Sequence, residues 1–322
     1  MMNNLRIALV GLGAHALKTV IPAINKCDGI ELVALVTSKL LEQLDSSLTH
    51  LAIYKDVESL AAEQFVDAAY VASPVEAHFQ QCKRLIESGT SVLCEKKLCS
   101  TYSQTKELFI LADENKVVLQ EALAYLYHPQ FFTMKKYLDS QKLGSLQFVN
   151  AKFTVPSFDN KNIRYSASLG GGALNDVAIY PLSLLLALFK ENLAEKSSVV
   201  VKSDAKGVDI KGQLSCNIGG VVINAQWAFD TSYSNKVEFI YDDHQLCVDR
   251  AFSKPANFKS QLVKQDTFGG VEYIHYPAAD QFELMLREFI KSIDSKVTPH
   301  YQSISLSVAQ LIEEIKINVA RN

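Results

Sequence analysis

The sequence has no long apolar run, no surplus of basic residues and no paired-cysteine motif. No stretch approaches the roughly 18 apolar residues of a membrane-spanning helix, and the first residues lead into a strand-like segment without the parts of a signal peptide. The 32 Lys+Arg and 35 Asp+Glu give a net charge of −3. This balance argues against nucleic-acid binding and against a polybasic membrane anchor.

The six cysteines form no C-x-x-C pair. The closest two, Cys94 and Cys99, have neither a second pair nor a flanking His. We therefore expect no metal site, and reduced, mostly buried thiols indicate a cytoplasmic protein.

The length of 322 residues favours two domains. In the first 120 residues, short apolar strands alternate with helical patterns. Strands are predicted at 5–10, 30–36, 68–72, 92–94 and 117–120, with a weak helix at 39–47 and helices at 75–87 and 101–115. This alternation predicts an α/β Rossmann domain, 1–122, with a parallel, doubly wound sheet.

The pattern changes after residue 122. A strand at 146–155 and a long apolar helix at 170–189 precede five strand-like segments between 198 and 249, and two helices end the chain at 279–292 and 303–319. The short turns between the five segments indicate an antiparallel meander. We expect an α+β domain, 123–322, with a predominantly antiparallel, open-faced sheet that binds substrate and supports oligomerisation.

A glycine-containing turn follows the first strand. Gly11, Gly13 and Ala16 form a G-x-G-x-x-A pattern, with Ala14 and His15 inside it. In this position the small residues allow a tight turn, close approach of a pyrophosphate and close helix packing. The pattern predicts dinucleotide binding at the helix N-terminus. The alternative is an ordinary strand-to-helix turn without a ligand.

The end of the second strand indicates which dinucleotide is bound. NAD enzymes usually place a carboxylate there, whereas this chain has Thr37, Ser38 and Lys39. Two hydroxyls and a cation suit the 2′-phosphate of NADP, so NADP is favoured, with NAD as the alternative. Lys39 could instead only begin a solvated helix.

Two further positions carry titratable groups near the expected site. Lys96 follows the fourth predicted strand, at the sheet edge where open parallel sheets bind ligands. Asp176, Tyr180 and Ser183 are spaced to share one helical face. From spacing alone, these three are equally a structural polar contact in a core or one wall of a cleft.

Together these motifs resemble the Gfo/Idh/MocA oxidoreductase family over nearly the whole chain. The segments that carry the resemblance are Gly11–Ala16, Tyr70–Pro74, Ser88–Lys96, Glu121–Ala122 with His128–Gln130, and Gly170–Asp176. Asp176–Pro181 looks most similar to the branch of dihydrodiol dehydrogenases, NADP-dependent xylose dehydrogenases and glucose–fructose oxidoreductase.

The resemblance implies roles for individual residues. Lys96 and Tyr180 match the family's catalytic lysine and tyrosine, with Asp176 beside them. Tyr180 would be the acid/base for hydride transfer between the nicotinamide and a carbinol carbon, and Lys96 would assist it. The other implied contacts are to the cofactor, from Ser73, Pro74, His78 and Glu95, and to the substrate, from Asn162 and Arg164. His78 could instead be a packing or capping residue.

One departure from the family concerns the residue after the lysine. The family's usual proline is Lys97 here, so the Lys96–Lys97 bond is either trans, with Lys96 displaced, or cis without a proline.

We therefore expect an NADP-dependent dehydrogenase or reductase acting on CH–OH groups of a sugar, polyol or dihydrodiol. The alternative is a catalytically weak or inactive dinucleotide-binding regulator of the same fold. We also expect a homodimer or larger homo-oligomer formed through the antiparallel sheet.

Overall fold

The chain forms two compact units. The computed structural model describes residues 4–63, 65–140, 145–189, 193, 197–203, 207–297 and 301–321. The first unit comprises Met1–Ala122 and Phe282–Leu306, and the second comprises Leu123–Gln281 and Ser307–Asn322. The first unit thus includes a late segment that the sequence pattern assigned to the second domain. Leu306, from that segment, packs against the core of the first unit.

A six-stranded parallel sheet forms the centre of the first unit. Its strands are β1 (Leu5–Val10), β2 (Ile30–Val36), β3 (Ala52–Tyr54), β4 (Ala68–Val71), β5 (Ser91–Cys94) and β6 (Leu119–Glu121). The spatial order is β3-β2-β1-β4-β5-β6, and every neighbouring pair runs parallel. β4 and β5 are buried over their full length, as strands covered on both faces must be. The expected parallel sheet is confirmed.

Helices connect these strands. They are α1 (Ile21–Lys26), preceded by a π-helical turn at Ala16–Val20, α2 (Val57–Glu63), α3 (Val75–Glu87) and α4 (Tyr102–Asn115), joined late in the chain by α8 (Gln281–Ser295). The sequence analysis missed β3 and α2, which are too short to show a clear period. The helix predicted at 39–47 is wrong, because two 3-10 turns occur there. Asp45 accepts a hydrogen bond from the backbone N of Ser47, and such local bonds compete with a helix.

An eight-stranded sheet forms the centre of the second unit. Its strands are β7 (Leu146–Thr154), β8 (Ser197–Ser203), β9 (Asp209–Ile218), β10 (Val221–Ala228), β11 (Ser234–Tyr241), β12 (His244–Asp249), β13 (Gln261–Asp266) and β14 (Val271–His275). The order is β14-β13-β12-β11-β7-β10-β9-β8. The mainly antiparallel sheet is confirmed, but it is not a simple meander. β7 lies between β11 and β10 and runs parallel to β10. The hairpin of β13 and β14 was not predicted.

The two faces of this sheet differ in polarity. Along β11, buried and half-buried residues alternate, with Val237 and Phe239 on the buried side. The opposite side carries a row of amides, in which Asn224 donates to Asn150 at 3.1 Å. This alternation is that of a sheet with one open face. α5 (Pro129–Ser140), α6 (Ala173–Asp176), α7 (Ile179–Phe189) and α9 (Gln302–Arg321) are the remaining helices among the described residues.

The glycine-rich segment is not the single long helix that the sequence predicted. α6 ends at Asp176 and α7 begins at Ile179, with Pro181 in the first turn of α7. A proline is tolerated there because the first amides of a helix have no intrahelical acceptor. In the described part of the chain, no single helix is long and apolar enough to cross a membrane. The bent pair Ala167–Asp176 and Ile179–Phe189 passes that test only when combined.

Candidate active site

The glycine turn after β1 is shaped for close approach of a ligand. Gly11 has a φ of 91°, and a Cβ there would lie 2.8 Å from the backbone N of Ser73. A Cβ at Gly13 would meet no described heavy atom within 4 Å, and Ala14 and His15 are exposed. Glycine is therefore required at position 11 for both conformation and packing. At position 13, glycine leaves open space next to the backbone. These residues fit the pyrophosphate of a dinucleotide.

The helix after this turn starts close to the sheet. Ala16 is buried, and the backbone N of Leu17 donates to the carbonyl of Gly13 at 3.1 Å. A small residue at position 16 lets the helix approach β1, which is the third requirement of the dinucleotide-binding turn.

The loop after β4 borders the glycine turn through Ser73. The Ser73 hydroxyl donates to the side-chain oxygen of Gln81, and Pro74 is exposed at the N-cap of α3. His78 is 1% exposed, with Nε2 2.8 Å from the Ser73 carbonyl and Nδ1 3.0 Å from the Lys97 carbonyl. Burial lowers the pKa of His78. This placement favours the packing alternative, in which the buried ring bridges two loops, and the cofactor contact of His78 stays a prediction.

The segment after β2 presents two side chains to solvent. Ser38 and Lys39 are exposed, whereas Thr37 is 9% exposed and its hydroxyl accepts from the backbone N of Lys39 at 3.2 Å. Thr37 therefore shapes the turn, and Ser38 and Lys39 are available to a ligand. Lys39 does not begin a helix, so that alternative is wrong.

Glu95 joins the glycine turn to the loop after β5. Its Oε1 accepts from His15 Nε2 at 2.9 Å and from the Tyr70 hydroxyl at 2.7 Å. Burial raises the pKa of Glu95, but these two bonds and the charge of Lys96 outweigh burial, and the pKa is lowered overall. The carboxylate is therefore ionised at neutral pH. No sequence pattern indicated that Tyr70 would bond to Glu95.

Lys96 is partly buried directly after Glu95, and the Lys96–Lys97 peptide bond is cis. This is the second of the two alternatives raised by the missing proline. The Lys97 side chain is buried, and its Nζ donates to the Ser100 carbonyl at 3.0 Å. The hydrogen bond from Lys97 thus holds the loop that carries Lys96.

Glu121, at the end of β6, supports the same loop. Its Oε1 accepts from the backbone N of Leu98 at 2.8 Å. Burial raises the pKa of Glu121, and bonds from Ser305 and Leu98 and the charge of Lys97 oppose the rise without cancelling it.

In the second unit, the structure brings together three residues predicted from the sequence. Arg164 Nε donates to Asp176 Oδ2 at 2.6 Å, and the guanidinium lies 4.7 Å from the centre of the Phe158 ring. Asn162 accepts from the backbone N of Arg164 at 3.1 Å and so caps the short turn that carries it. The predicted substrate residues Asn162 and Arg164 therefore form one group with Asp176.

Tyr180 lies in the first turn of α7, partly buried among aromatic rings. The ring centres of Phe153, Phe252 and Tyr125 are 4.9, 5.9 and 6.1 Å from that of Tyr180. Ser183 Oγ donates to the Tyr180 carbonyl at 3.1 Å. Packing on several sides restricts the Tyr180 ring to a narrow range of orientations.

The single helical face predicted for Asp176, Tyr180 and Ser183 is wrong, because α6 and α7 are separate helices. The rings around Tyr180 were not singled out either. For Phe153, the sequence signal was the alternation along β7, which places this ring on the buried side.

Asp209 holds the start of α6 and was not predicted. Its Oδ2 accepts from the backbone N of Leu174 at 2.6 Å. Burial raises the pKa of Asp209 to about 6, although the Leu174 bond and the charge of Lys316 lower it. Gly172, with φ of 111°, leaves room for this carboxylate, since a Cβ there would overlap Asp209 Oδ1. Leu174 and Asp209 are far apart in sequence, so no local pattern reveals the contact.

The cysteines match their expected burial. All six are free, and five are buried. Among the described residues, no group of three or more His, Cys, Asp or Glu side chains could hold a metal ion.

Two family descriptions match the chain. Residues 5–123 match the Gfo/Idh/MocA "Oxidoreductase family, NAD-binding Rossmann fold", and residues 131–246 match the "GFO/IDH/MocA C-terminal domain".

Relatives with named activities align over most of the chain. A dTDP-3,4-didehydro-2,6-dideoxy-alpha-D-glucose 3-reductase from Streptomyces violaceoruber is 29% identical over 90% of this chain and 85% of its own length. D-xylose 1-dehydrogenase (NADP(+)) 2 from Haloferax volcanii is 25% identical over 95% of each chain. The xylose dehydrogenase belongs to the branch that the sequence resembled, whereas the sequence analysis did not name the 3-reductases.

A solved structure shares the fold of the whole chain. KijD10, a 3-ketoreductase from Actinomadura kijaniata in complex with NADP and TDP-benzene, superimposes with a TM-score of 0.91 at 26% identity, covering 98% of each chain. Taken with the two family matches, this confirms the resemblance. The chain belongs to the Gfo/Idh/MocA family and is an oxidoreductase with an NAD(P)-binding Rossmann domain.

Proposed function

We propose that this chain is an NADP-dependent oxidoreductase that acts on a keto or hydroxyl group of a sugar, with Tyr180 as the acid/base and Lys96 assisting it. The observation that supports the proposal is where the two residues lie that the family resemblance assigns as catalytic: Lys96 follows β5, and Tyr180 lies in the first turn of α7. The names of the relatives support a sugar as the substrate: one is named for the reduction of a keto sugar and another for the oxidation of xylose.

Variants of a relative support the roles proposed for Lys96 and Tyr180. KijD10 was also solved with a tyrosine changed to phenylalanine and with a lysine changed to alanine, each with TDP-benzene and NADP. The two changed residues are as far apart in that sequence as Lys96 and Tyr180 are here.

The proposed chemistry assigns one task to each side chain. NADP, when bound, supplies or accepts the hydride. The Tyr180 hydroxyl gives a proton to the substrate oxygen in reduction and takes it back in oxidation. The Lys96 ammonium stabilises the negative charge that develops on that oxygen. Asp176, held by Arg164, accepts a hydrogen bond from a neighbouring substrate hydroxyl and so orients the sugar.

The choice of NADP depends on Ser38 and Lys39, whose side chains are exposed after β2. We expect Lys39→Ala to lower the ratio of kcat/KM for NADPH to that for NADH about 10-fold or more, the scale of one charge-assisted hydrogen bond. Lys55→Ala, an exposed lysine after β3, is the control. An unchanged ratio in Lys39→Ala would remove Lys39 from cofactor selection.

Two separate measurements test the proposed reaction: substrate turnover and NADPH binding. Wild-type enzyme with NADPH is assayed on keto sugars, and with NADP⁺ on aldoses, polyols and dihydrodiols. We expect Tyr180→Phe and Lys96→Ala to lower kcat about 100-fold or more, the scale of lost general acid catalysis, with little change in the Kd of NADPH for Tyr180→Phe. Tyr102→Phe is the control. Full activity in Tyr180→Phe would disprove its role.

The same assays distinguish the hypothesis of an enzyme from that of a dinucleotide-binding regulator. Tight binding of NADPH without turnover of any substrate in the panel would favour the dinucleotide-binding regulator. The presence of both Lys96 and Tyr180 favours the enzyme.

We also propose that a second copy of the chain covers the open face of the eight-stranded sheet. Phe148 is 44% exposed on β7, in the middle of the sheet. Its partners across the two adjacent strand pairs are Val222 and Ile240, both half-buried. An apolar row at the centre of an open sheet face is typical of an interface.

A further inference from the structure

Arg250 occupies a backbone position that favours glycine. It follows β12 with a φ of 50°, in the left-handed region where a Cβ is unfavourable. Residues other than glycine are kept in such conformations mainly where the side chain has a task. The fold itself would be served at least as well by a glycine here.

The guanidinium of Arg250 is held in place without an acidic partner. It lies 4.7 Å from the centre of the Tyr233 ring and 5.9 Å from that of Phe258, and its Nη1 donates to the Tyr233 hydroxyl at 3.0 Å. Within the described part of the chain, no carboxylate is within ion-pair distance of Arg250. The adjacent acid, Asp249, lies opposite Lys236 in the register of β11 and β12. Since a guanidinium has five N–H donors, most of them remain for a ligand.

Two aromatic rings, Tyr233 and Phe153, lie between this arginine and the proposed acid/base. Phe153 packs edge-on against Tyr180, with ring centres 4.9 Å apart, and against Tyr233, with ring centres 6.4 Å apart. Tyr233 is itself 42% exposed. A substrate that is bound at Tyr180 and is long enough to span these two rings would reach Arg250 with the group farthest from its reacting carbon.

We propose that Arg250, held by Tyr233, binds a phosphate oxygen of the substrate, so that the substrate is a phosphate ester of a sugar and not a free sugar. This inference rests on the proposed sugar oxidoreductase function. A planar guanidinium fixed by stacking presents two parallel N–H groups, which match two oxygens of a phosphate. Free aldoses and polyols carry no anionic group to match this cation.

The test is binding to the enzyme saturated with NADP⁺, so that the cofactor's own phosphate sites are filled. Isothermal titration calorimetry with dTDP, inorganic pyrophosphate and glucose 1-phosphate distinguishes a nucleoside diphosphate from a simpler phosphate. We expect wild type to bind at least one of these, and Arg250→Gly to weaken that binding about 10-fold or more. Because glycine suits the backbone, Arg250→Gly is expected to remain folded, which its Tm checks. Arg250→Lys keeps the charge without the planar fork and is expected to bind with intermediate affinity.

Lys259→Ala removes the same charge from the same loop and is the control. An equal loss in Lys259→Ala and Arg250→Gly would mean a general electrostatic effect and would overturn the proposal. So would a wild-type enzyme that binds none of the three ligands yet reduces a free sugar. Failure of the proposed function shows differently, as wild-type-like turnover in Tyr180→Phe, which leaves the Arg250 measurement intact.

Discussion

Gly11 and Gly13 belong to one turn but carry different constraints. A Cβ on Gly11 would meet the backbone of Ser73, and its φ of 91° is unfavourable for other residues, whereas a Cβ on Gly13 would enter open space. Only the first glycine is required by the protein itself. The second is required if a pyrophosphate lies against the backbone.

The two substitutions should therefore separate stability from cofactor binding. We expect Gly11→Ala to lower the free energy of unfolding by about 1–3 kcal/mol and to weaken NADPH binding as well. Gly13→Ala should leave the Tm within about 1–2 °C of wild type, since surface changes cost little, yet weaken NADPH binding. Thermal unfolding without cofactor and NADPH titration measure the two effects. Unchanged NADPH affinity in Gly13→Ala would show that the cofactor does not approach this turn closely.

At the residue scale, the sequence identified the residue types that carry the proposed chemistry. Lys96 and Tyr180 stand in local motifs that can be read along the chain. Asp209 and Arg250 could not be predicted, because their partners Leu174 and Tyr233 are distant in sequence. His78 is a different case: the family resemblance implied a cofactor contact, and its burial against two carbonyls favours the packing alternative.

At the scale of elements, the start of α6 is held by a single half-buried carboxylate, that of Asp209. α6 is only four residues long, so its first amides rely on a partner outside the helix, and Asp209 accepts from one of them. The pKa of Asp209 is raised from 3.8 to about 6, so the folded protein holds this proton more tightly than the unfolded chain does. The stabilising contribution is thus complete below about pH 4 and is lost as the pH rises through 6.

Asp209→Asn tests this pH dependence, because asparagine keeps an acceptor oxygen but cannot ionise. We expect the Tm of wild type, compared with that of Asp209→Asn, to fall between pH 4 and pH 7, by the equivalent of up to about 3 kcal/mol. Asp242→Asn, an exposed acid of the same unit, is the control. Parallel Tm curves for wild type and Asp209→Asn over this range would contradict the raised pKa.

The elements also show where periodicity fails as a predictor. Four of the five parallel strands read from the sequence agree with the structure within one residue at each end, because buried parallel strands are continuous apolar runs, and the fifth is displaced by up to two residues. The break between α6 and α7 was missed because apolar residues continue across it. The insertion of β7 beside β10 was missed because it pairs strands far apart in the chain.

At the scale of the whole molecule, the open sheet face predicts self-association. We expect Phe148→Glu to shift the protein toward monomer, because a charge at the centre of the apolar row would be buried without a partner. Phe132→Glu is the control, since Phe132 is similarly exposed, at 50%, but lies on α5. Light scattering at micromolar concentration measures the mass of both variants and of wild type. A monomeric wild type would contradict the proposed assembly.

The cytoplasmic location stays a prediction from the cysteine pattern. The net charge of −3 is a total and does not describe the charge at the individual sites. The cations that the proposals use follow three different strands: Lys39 comes after β2, Lys96 after β5 and Arg250 after β12.

The sequence by itself determined the class of each unit and the dinucleotide turn, because these depend on period and on motifs within a few residues. The catalytic roles of Lys96 and Tyr180 stay predictions from the family resemblance. The tertiary structure alone decided four other features. They are the return of Phe282–Leu306 to the first unit, the place of β7, the cap of Asp209 on α6 and the cation at Tyr233. Each joins segments that are distant along the chain, and such contacts are set by packing, which leaves no local pattern to read.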